Sequence, residues 1–284
     1  MKSLSVLFLL MFAAIQVQGQ VITGKITDSD TGKPLQYVNI GVVGESIGAI
    51  SGSQGEYSLD AKGLPDSKEV RISMIGYESR TFTIGELSGK VNNIDLTVST
   101  IALEEIIITP RNKSRKIGTT ACSMRSICGW GGTLFGKGHE IGTKIELGDS
   151  PVSIRTLHTR LFHQSFDSSL FRLHIRDIDG DLPQDELLWE NIYITVTRES
   201  GWVKFDLRPY NLVLSGDIVL TLEWVNGFGL NEDKLMKMNK GRRPEPVVLF
   251  RSKNGEGSFY SKRGSEAKWI GRTNESPTFY LTVQ

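Results

Sequence analysis

The sequence predicts an all-β protein built from two sandwich domains. Apolar and polar residues alternate in several segments, which gives each segment one apolar face: Ile218, Leu220, Leu222 and Trp224; Phe171, Leu173 and Ile175; Ile192, Ile194 and Val196. Clusters of Gly, Asn, Asp and Ser separate such segments at intervals of roughly 8–12 residues, which is typical of antiparallel sandwiches rather than βαβ units. The 284 residues are enough for two domains of ordinary size.

The composition indicates a folded protein without pointing to a particular chemistry. Hydrophobic residues make up 39% of the chain, and 33 basic side chains oppose 32 acidic ones, which leaves a net charge of +1. This apolar content excludes a disordered chain. Nucleic acid and anionic membrane surfaces are disfavoured as partners, because both require clustered, uncompensated Lys and Arg.

Residues 1–19 have the pattern of a signal peptide. Lys2 supplies a positive charge, Leu4–Val17 form an apolar run, and the predicted cleavage site lies between Gly19 and Gln20. A membrane anchor is the weaker alternative, because the run is shorter than the roughly 20 residues that span a bilayer. We therefore expect an exported chain, periplasmic or associated with the outer membrane, with no transmembrane segment after processing.

A basic segment separates the two predicted domains. From Ile106 to His139 the sequence has no acidic residue, and Pro110 ends the β-rich run before it. We interpret residues 110–116 as a basic linker, 20–109 as the first domain and 117–284 as the second. The alternative is a basic surface loop within one domain.

The first domain carries turn residues at a specific spacing. Gly32 and Pro34 suit the turn after a first strand, and the run Ser53–Leu59 places Gly55 two residues before an aromatic side chain. Together with Val70–Tyr77, these residues resemble the carboxypeptidase-regulatory-like domain of exported proteins from Bacteroidetes-type bacteria, although Gln54 replaces the more usual Asp. The resemblance implies a transthyretin-type, seven-stranded Greek-key sandwich that accompanies catalytic or transport domains and is not itself catalytic.

The segment 103–109 (LEEIIIT) resembles the start of the energy-coupling region in outer-membrane nutrient receptors of the same bacteria. This resemblance implies an accessory role in a TonB-dependent uptake system. The residues after Thr109 are too few for the plug and barrel of such a receptor, which favours the simpler interpretation of 103–109 as the last strand of the sandwich.

The second domain resembles the C-terminal sandwich of uncharacterised proteins from the same bacteria. The resemblance lies in residues 171–175, 185–192 and 201–207. It implies a larger, jelly-roll-like sandwich with no assigned activity. Carbohydrate or protein binding is expected only by analogy with other folds of this type.

The chain has no recognisable catalytic motif. Neither a HExxH zinc motif nor a GxSxG nucleophile elbow occurs, so we predict no catalytic residues, no cofactor and no enzyme activity. Asp177, Asp179 and Asp181 form a weak calcium candidate, because alternate carboxylates suit a hard cation. Leu188 stands where an EF-hand would need its bidentate Glu, and a hairpin tip explains the three aspartates equally well.

Cys122 and Cys128 are the two cysteines of the chain. An exported protein meets an oxidising compartment, so the pair is a candidate disulfide closing a hairpin. The alternative is two thiols on one face of a strand, because a separation of six residues preserves facing.

Exposed aromatic side chains are the predicted ligand-binding groups. Trp202 alternates with Lys204 and Asp206 rather than with the apolar residues of its segment, which predicts an exposed indole. Trp269 is the second candidate, because it lies between Lys268 and a Gly271-Arg272 turn. Trp224 is predicted to be in the core.

Three functions are consistent with these features. The first is a non-catalytic cell-envelope binding or assembly module directed to carbohydrate or protein. The second is an accessory of an outer-membrane TonB-dependent nutrient-uptake system, in contact with partners through 103–109. The third is a hydrolase whose site has no known motif. The expected partner is a glycan or an outer-membrane protein.

Overall fold

The computed structural model describes residues 20–99, 113–131, 136–230 and 246–284. In these residues the chain forms two β-sandwiches, as the sequence predicts. The signal peptide, the 103–109 segment and the Gly19 side of the cleavage site lie outside the described residues. Among the described residues, no helix is long and apolar enough to cross a membrane.

The first sandwich has seven strands in two sheets, with a short helix at one edge. One sheet has the order β4-β1-β7 and the other the order β3-β2-β5-β6. The elements are β1 (Val21–Asp28), β2 (Asn39–Val42), β3 (Gly48–Ile50), β4 (Glu56–Asp60), β5 (Glu69–Ser73), β6 (Arg80–Thr83), α1 (Ile84–Leu87) and β7 (Val91–Leu96). A capping box between Thr83 and Glu86 starts α1.

The predicted turn chemistry accounts for the β3–β4 connection. Gly55 has a φ of +76°, and a Cβ there would lie 2.3 Å from the carbonyl oxygen of Ile26, so that only glycine fits. The Glu56 carboxylate accepts the backbone N–H of Gln54 at 2.8 Å. The turn amide is therefore bonded although Gln54 replaces the Asp that this type of domain usually has there.

The second sandwich contains thirteen described strands. They are β8 (Arg115–Gly118), β9 (Ile127–Gly131), β10 (His139–Glu146), β11 (Val152–Gln164), β12 (Phe166–Asp179), β13 (Leu182–Glu186), β14 (Ile192–Val196), β15 (Gly201–Asp206), β16 (Val213–Leu214), β17 (Asp217–Leu230), β18 (Val247–Arg263), β19 (Ile270–Pro277) and β20 (Phe279–Val283). Lys116 pairs with Thr282, and Arg115 with Val283. The predicted linker 110–116 is therefore too long at its C-terminal end, because strand pairing begins at Arg115.

Two layers of strands enclose the core of the second sandwich. The strand order is β13-β12-β17-β10-β18-β11-β20-β8, and β18 joins the layers because one part of it pairs with β11 and its end pairs with β10. Phe171 of β12 meets Phe250 of β18 edge to face, with ring centroids 5.7 Å apart. The apolar faces predicted from alternation, Trp224 included, are buried.

The first sandwich packs against the outer face of the β12-β17-β10 layer. The side-chain amide of Asn191 donates to the carbonyl oxygen of Ile75 at 2.9 Å. The backbone N–H of Gly44 donates to the carbonyl oxygen of Glu266, also at 2.9 Å. A Cβ on Gly41 would lie 2.5 Å from the hydroxyl oxygen of Ser265. The two domains are therefore in direct contact, and glycine permits the close approach at this point.

Candidate functional site

A cluster of charged side chains lies beneath this domain contact. In β12, the core residues alternate with Arg172, His174 and Arg176, which point outward. The sheet places these three side chains beside outward-facing residues of β17, β10 and β18. We call the group the buried charge cluster; its members are Glu140, Arg172, His174, Arg176, Glu186, Glu223 and Lys262. All except the half-buried Glu186 are less than a tenth exposed.

Glu140 is the centre of the cluster. Its carboxylate accepts from Arg176 at 2.7 Å, from Thr221 at 2.7 Å and from Lys262 at 2.9 Å. Burial raises the pKa of Glu140, but Arg176, His174 and Lys262 lower it more, so that it lies well below its ordinary value. The carboxylate is therefore ionised and held by fixed cations.

His174 bridges two further carboxylates. Its Nδ1 lies 2.6 Å from Glu186, and its Nε2 lies 2.8 Å from Glu223. Burial lowers the pKa of His174, but the negative charges of Glu140 and Glu186 outweigh burial and raise it above its ordinary value. Burial raises the pKa of Glu186, but the positive charges of His174 and Arg176 lower it by more, so that it lies below its ordinary value.

The cluster contains a set of atoms with metal-ligand spacing. One ligand atom each of Glu140, His174 and Glu223 lies within 4.8 Å of the others. Arg176 and Lys262 already contact Glu140, and the Nε of Arg172 lies 3.6 Å from Glu223. A divalent cation would have to enter among three fixed positive charges, so the donor set fits an ion-pair network better than a metal centre.

A polar cleft of about 390 Å³ opens between the two sandwiches beside the cluster. The Oδ1 of Asn39 and the hydroxyl of Ser265 are buried on its walls without a hydrogen-bond partner in the described part of the chain. Trp269, a predicted ligand-binding residue, lines the same cleft. Its ring takes cation–π contacts from Lys262 at 4.9 Å and Arg176 at 5.3 Å, so this indole is half-buried and packed on the cluster.

The other predicted residue, Trp202, lies on the opposite side of the second sandwich. It is 38% exposed, which confirms the exposure expected from its phase. Its ring meets Tyr280 edge to face at 5.6 Å, and the guanidinium of Arg160 lies 5.8 Å from its centroid. We define the Trp202 face as the outward side chains of β15, β11, β20 and β8 around this indole: Trp202, Lys204, Asp206, Arg160, His158, Thr156, Tyr280, Thr282 and Lys116.

The remaining predicted residues are not brought into either site. Asp177, Asp179 and Asp181 are exposed at the β12–β13 hairpin, and the metal-spaced group found among the described residues does not include them. Asp177 accepts the backbone N–H of Asp185 at 2.6 Å, which is hairpin chemistry.

The candidate disulfide is not formed in this structure. Cys122 and Cys128 are free thiols. Cys122 precedes β9 and contacts Arg160, whereas Cys128 lies within β9 against β18. Burial raises the pKa of the Cys128 thiol, which makes it unreactive.

Comparisons with known proteins characterise the first domain. Residues 22–108 match the model of the CarboxypepD_reg-like domain. The chain is 29% identical over 110 residues to a TonB-dependent receptor from Formosa agariphila, a match that covers 38% of this chain and 10% of that receptor. The chain thus spans about a tenth of the curated relative that it matches.

The first sandwich is therefore a CarboxypepD_reg-like domain, and the resemblance read from its turn residues is confirmed. Among solved structures, the clostridial cysteine protease Cwp84 after propeptide cleavage is similar with a TM-score of 0.40 and 8% identity, covering 93% of this chain and 70% of that one. The infectious bursal disease virus Gx strain is similar with a TM-score of 0.20 and 12% identity, covering 93% and 76%.

Proposed function

We propose that this chain is a non-catalytic, exported binding module of the cell envelope, directed to carbohydrate through the Trp202 face. The observation that carries the proposal is the exposed indole of Trp202, fixed on a sheet by the buried ring of Tyr280. A rigid aromatic ring offers apolar area at a low entropic cost, which suits the flat faces of sugar rings. The CarboxypepD_reg-like domain and the TonB-dependent receptor relative support an envelope location.

The electrostatics of the buried charge cluster support a non-catalytic role. A general acid needs a carboxyl whose pKa is raised towards neutrality. The pKa values of the cluster carboxyls Glu140, Glu186 and Glu223 are shifted downward by neighbouring cations, despite burial. Glu266, which lines the adjoining cleft, is the exception, because burial raises its pKa. The three cluster carboxylates are therefore ionised and unsuited to act as general acids.

The test is a glycan array probed with the processed chain and two variants. Trp202→Ala removes the indole, whereas Phe228→Ala removes an aromatic ring of comparable exposure (44%) on β17 as the matched control. We expect Trp202→Ala to abolish glycan binding and Phe228→Ala to retain it. Binding to no glycan, or binding unchanged by Trp202→Ala, would contradict the proposal. Hydrolysis of a bound glycan would instead support the alternative that the chain is a hydrolase.

A second candidate function is an accessory role in TonB-dependent uptake. It is favoured by the relative from Formosa agariphila and rests on 103–109, which lies outside the described residues. Capture of an outer-membrane receptor from envelope extracts should be lost in a Glu104→Ala/Glu105→Ala variant that still folds. Retention of the receptor by that variant would argue against this role.

A further inference from the structure

We infer that the ligand of the Trp202 face is an anionic polysaccharide, a chain of sugar rings that carry carboxylate or sulfate groups. This inference rests on the proposed carbohydrate-binding function and adds the charge class of the ligand. It follows from the charges of the face, their arrangement around the aromatic rings and an adjoining basic cleft.

The Trp202 face has an excess of positive charge. Lys116, Arg160 and Lys204 are exposed, and no carboxylate of the described residues lies within 4 Å of their charged groups; Lys204 acts on Asp206 only from a greater distance. Asp206 is the acidic residue of the face, and Arg208, which lies beside the face, binds it through three N–H···O contacts of 2.6, 2.8 and 3.1 Å. With Arg208 included, four cations against one acid give +3, whereas the whole chain has +1. The face is therefore a local basic surface on a nearly neutral protein.

The cations lie beside the indole on which a sugar would stack and beside the rings that support it. The register places Arg160 opposite Trp202, Lys204 opposite His158, and His158 opposite Tyr280. The ammonium of Lys116 lies 5.3 Å from the Tyr280 centroid. Four strands at a spacing of about 4.8 Å make a face about 14 Å wide. Acidic groups on successive sugars can therefore meet Arg160 across the strands from the indole and Lys204 along the strand of Trp202.

His158 is a neutral part of this platform. Its ring stacks on Tyr280 with centroids 4.4 Å apart and 6° between planes, and its Nε2 lies 2.8 Å from the Thr156 hydroxyl. Burial lowers the pKa of His158, and the positive charges of Lys204 and Lys116 lower it further. The fields of the two lysines thus converge on the centre of the face, where a ligand anion would lie.

A basic cleft continues the face at one end. It has a volume of about 550 Å³ and is lined by Arg155, Lys204 and Arg208 together with Thr156, Asp206 and Gln284. Arg208 is paired with Asp206, so the cleft adds Arg155 to the cations already counted on the face. The cleft gives an acidic group at the end of a polysaccharide segment a recessed binding position.

The test compares polygalacturonate with its fully methyl-esterified form, in which each carboxylate is replaced by an uncharged methyl ester. Binding to the processed chain is measured by affinity electrophoresis. We expect polygalacturonate to bind more tightly, and the preference to vanish as salt rises from about 0.01 to about 1 M, because the Debye length falls from about 30 to about 3 Å. Lys204→Gln and Arg160→Gln should each weaken polygalacturonate binding about two- to fivefold and reduce its advantage over the ester. Lys62→Gln, an exposed lysine of the first sandwich, is the matched control.

The outcomes separate the inference from the function on which it rests. Equal binding of both polymers, lost in Trp202→Ala, would overturn the anionic preference and leave carbohydrate binding intact. Binding of neither polymer, nor of any arrayed glycan, would overturn both. Equal competition by double-stranded DNA would show a general polyanion surface and would also overturn the inference.

Discussion

The two outer faces of the second sandwich both carry charged side chains. On one face these side chains are buried beside opposite charges, and on the other they are exposed. On the face covered by the first sandwich, Glu140, Glu223, Arg172, Arg176 and Lys262 are buried and each lies near an opposite charge. On the Trp202 face, three cations are exposed without such partners. Buried charges must be paired to be tolerated, whereas an unpaired exposed charge costs little. The covered face therefore needs opposite charges beside its buried ones, whereas the exposed Trp202 face can carry unpaired cations.

The largest expected effect is the loss of the central carboxylate. Glu140→Gln leaves Arg176 and Lys262 buried without their main counter-charge, and should lower the free energy of unfolding by about 3–5 kcal/mol. Urea denaturation of the full chain measures this. Lys144→Gln is the control, because Lys144 pairs with Asp217 nearer the surface and should cost at most about 1 kcal/mol.

A double variant sharpens the same prediction. Glu140→Gln/Lys262→Gln removes one charge of each sign and should be more stable than Glu140→Gln alone. A double variant that loses the sum of the two single effects would show that the cluster is not held by charge.

The next effect concerns the contact between the sandwiches. Gly41→Ala places a methyl group 2.5 Å from Ser265 and 2.6 Å from Glu266, so the loop at 265–266 must move. We expect a loss of about 1–3 kcal/mol and faster proteolysis between the domains. At Gly271, the nearest atom to an added Cβ is 3.5 Å away, and Gly271→Ala should change neither quantity. Equal behaviour of the two variants would show that the domain contact is not close-packed.

The fold was largely predictable from sequence because its signals are local. Alternation in 171–175 and 218–224 depends only on neighbouring residues, and so does the turn chemistry of Gly55. The start of β8 was missed because Arg115 and Lys116 are polar and belong to a strand only through pairing with β20. Polarity alone does not distinguish such an edge strand from a linker.

The two sites differ in predictability for the same reason. The exposure of Trp202 follows from its phase within one strand, and the prediction was correct. The buried charge cluster was missed because Arg172, His174 and Arg176 occupy the polar phase of β12, which normally faces water. Their burial depends on the first sandwich, far away in sequence. The one available signal was the concentration of three basic residues in that phase, and Trp269 pointed towards the same place.

The histidines of the two faces should respond to pH with opposite signs. The pKa of His174 is raised in the folded state. Its contribution to the free energy of unfolding is therefore complete below the ordinary pKa of 6.5 and is lost as pH rises through the folded pKa. The pKa of His158 is lowered, so its contribution is present at high pH and is lost as pH falls from 6.5 through the folded pKa.

Thermal unfolding across this pH range tests both signs. His174→Gln should remove the fall in the free energy of unfolding on the alkaline side and leave the fall on the acid side, and His158→Gln should do the reverse. If both variants kept the fall in stability on both the acid and the alkaline side, the groups that titrate would lie elsewhere in the chain.

The smallest stability effect is expected on the Trp202 face. Lys116, Arg160 and Lys204 repel one another and have no ion-pair partner there, so Lys204→Gln should leave the free energy of unfolding unchanged within about 0.5 kcal/mol or raise it slightly. Denaturation of this variant beside Lys62→Gln measures the difference. A clear destabilisation specific to Lys204→Gln would mean that the lysine stabilises the fold. An unchanged or higher stability together with weaker polygalacturonate binding would show that this charge serves the ligand rather than the sandwich.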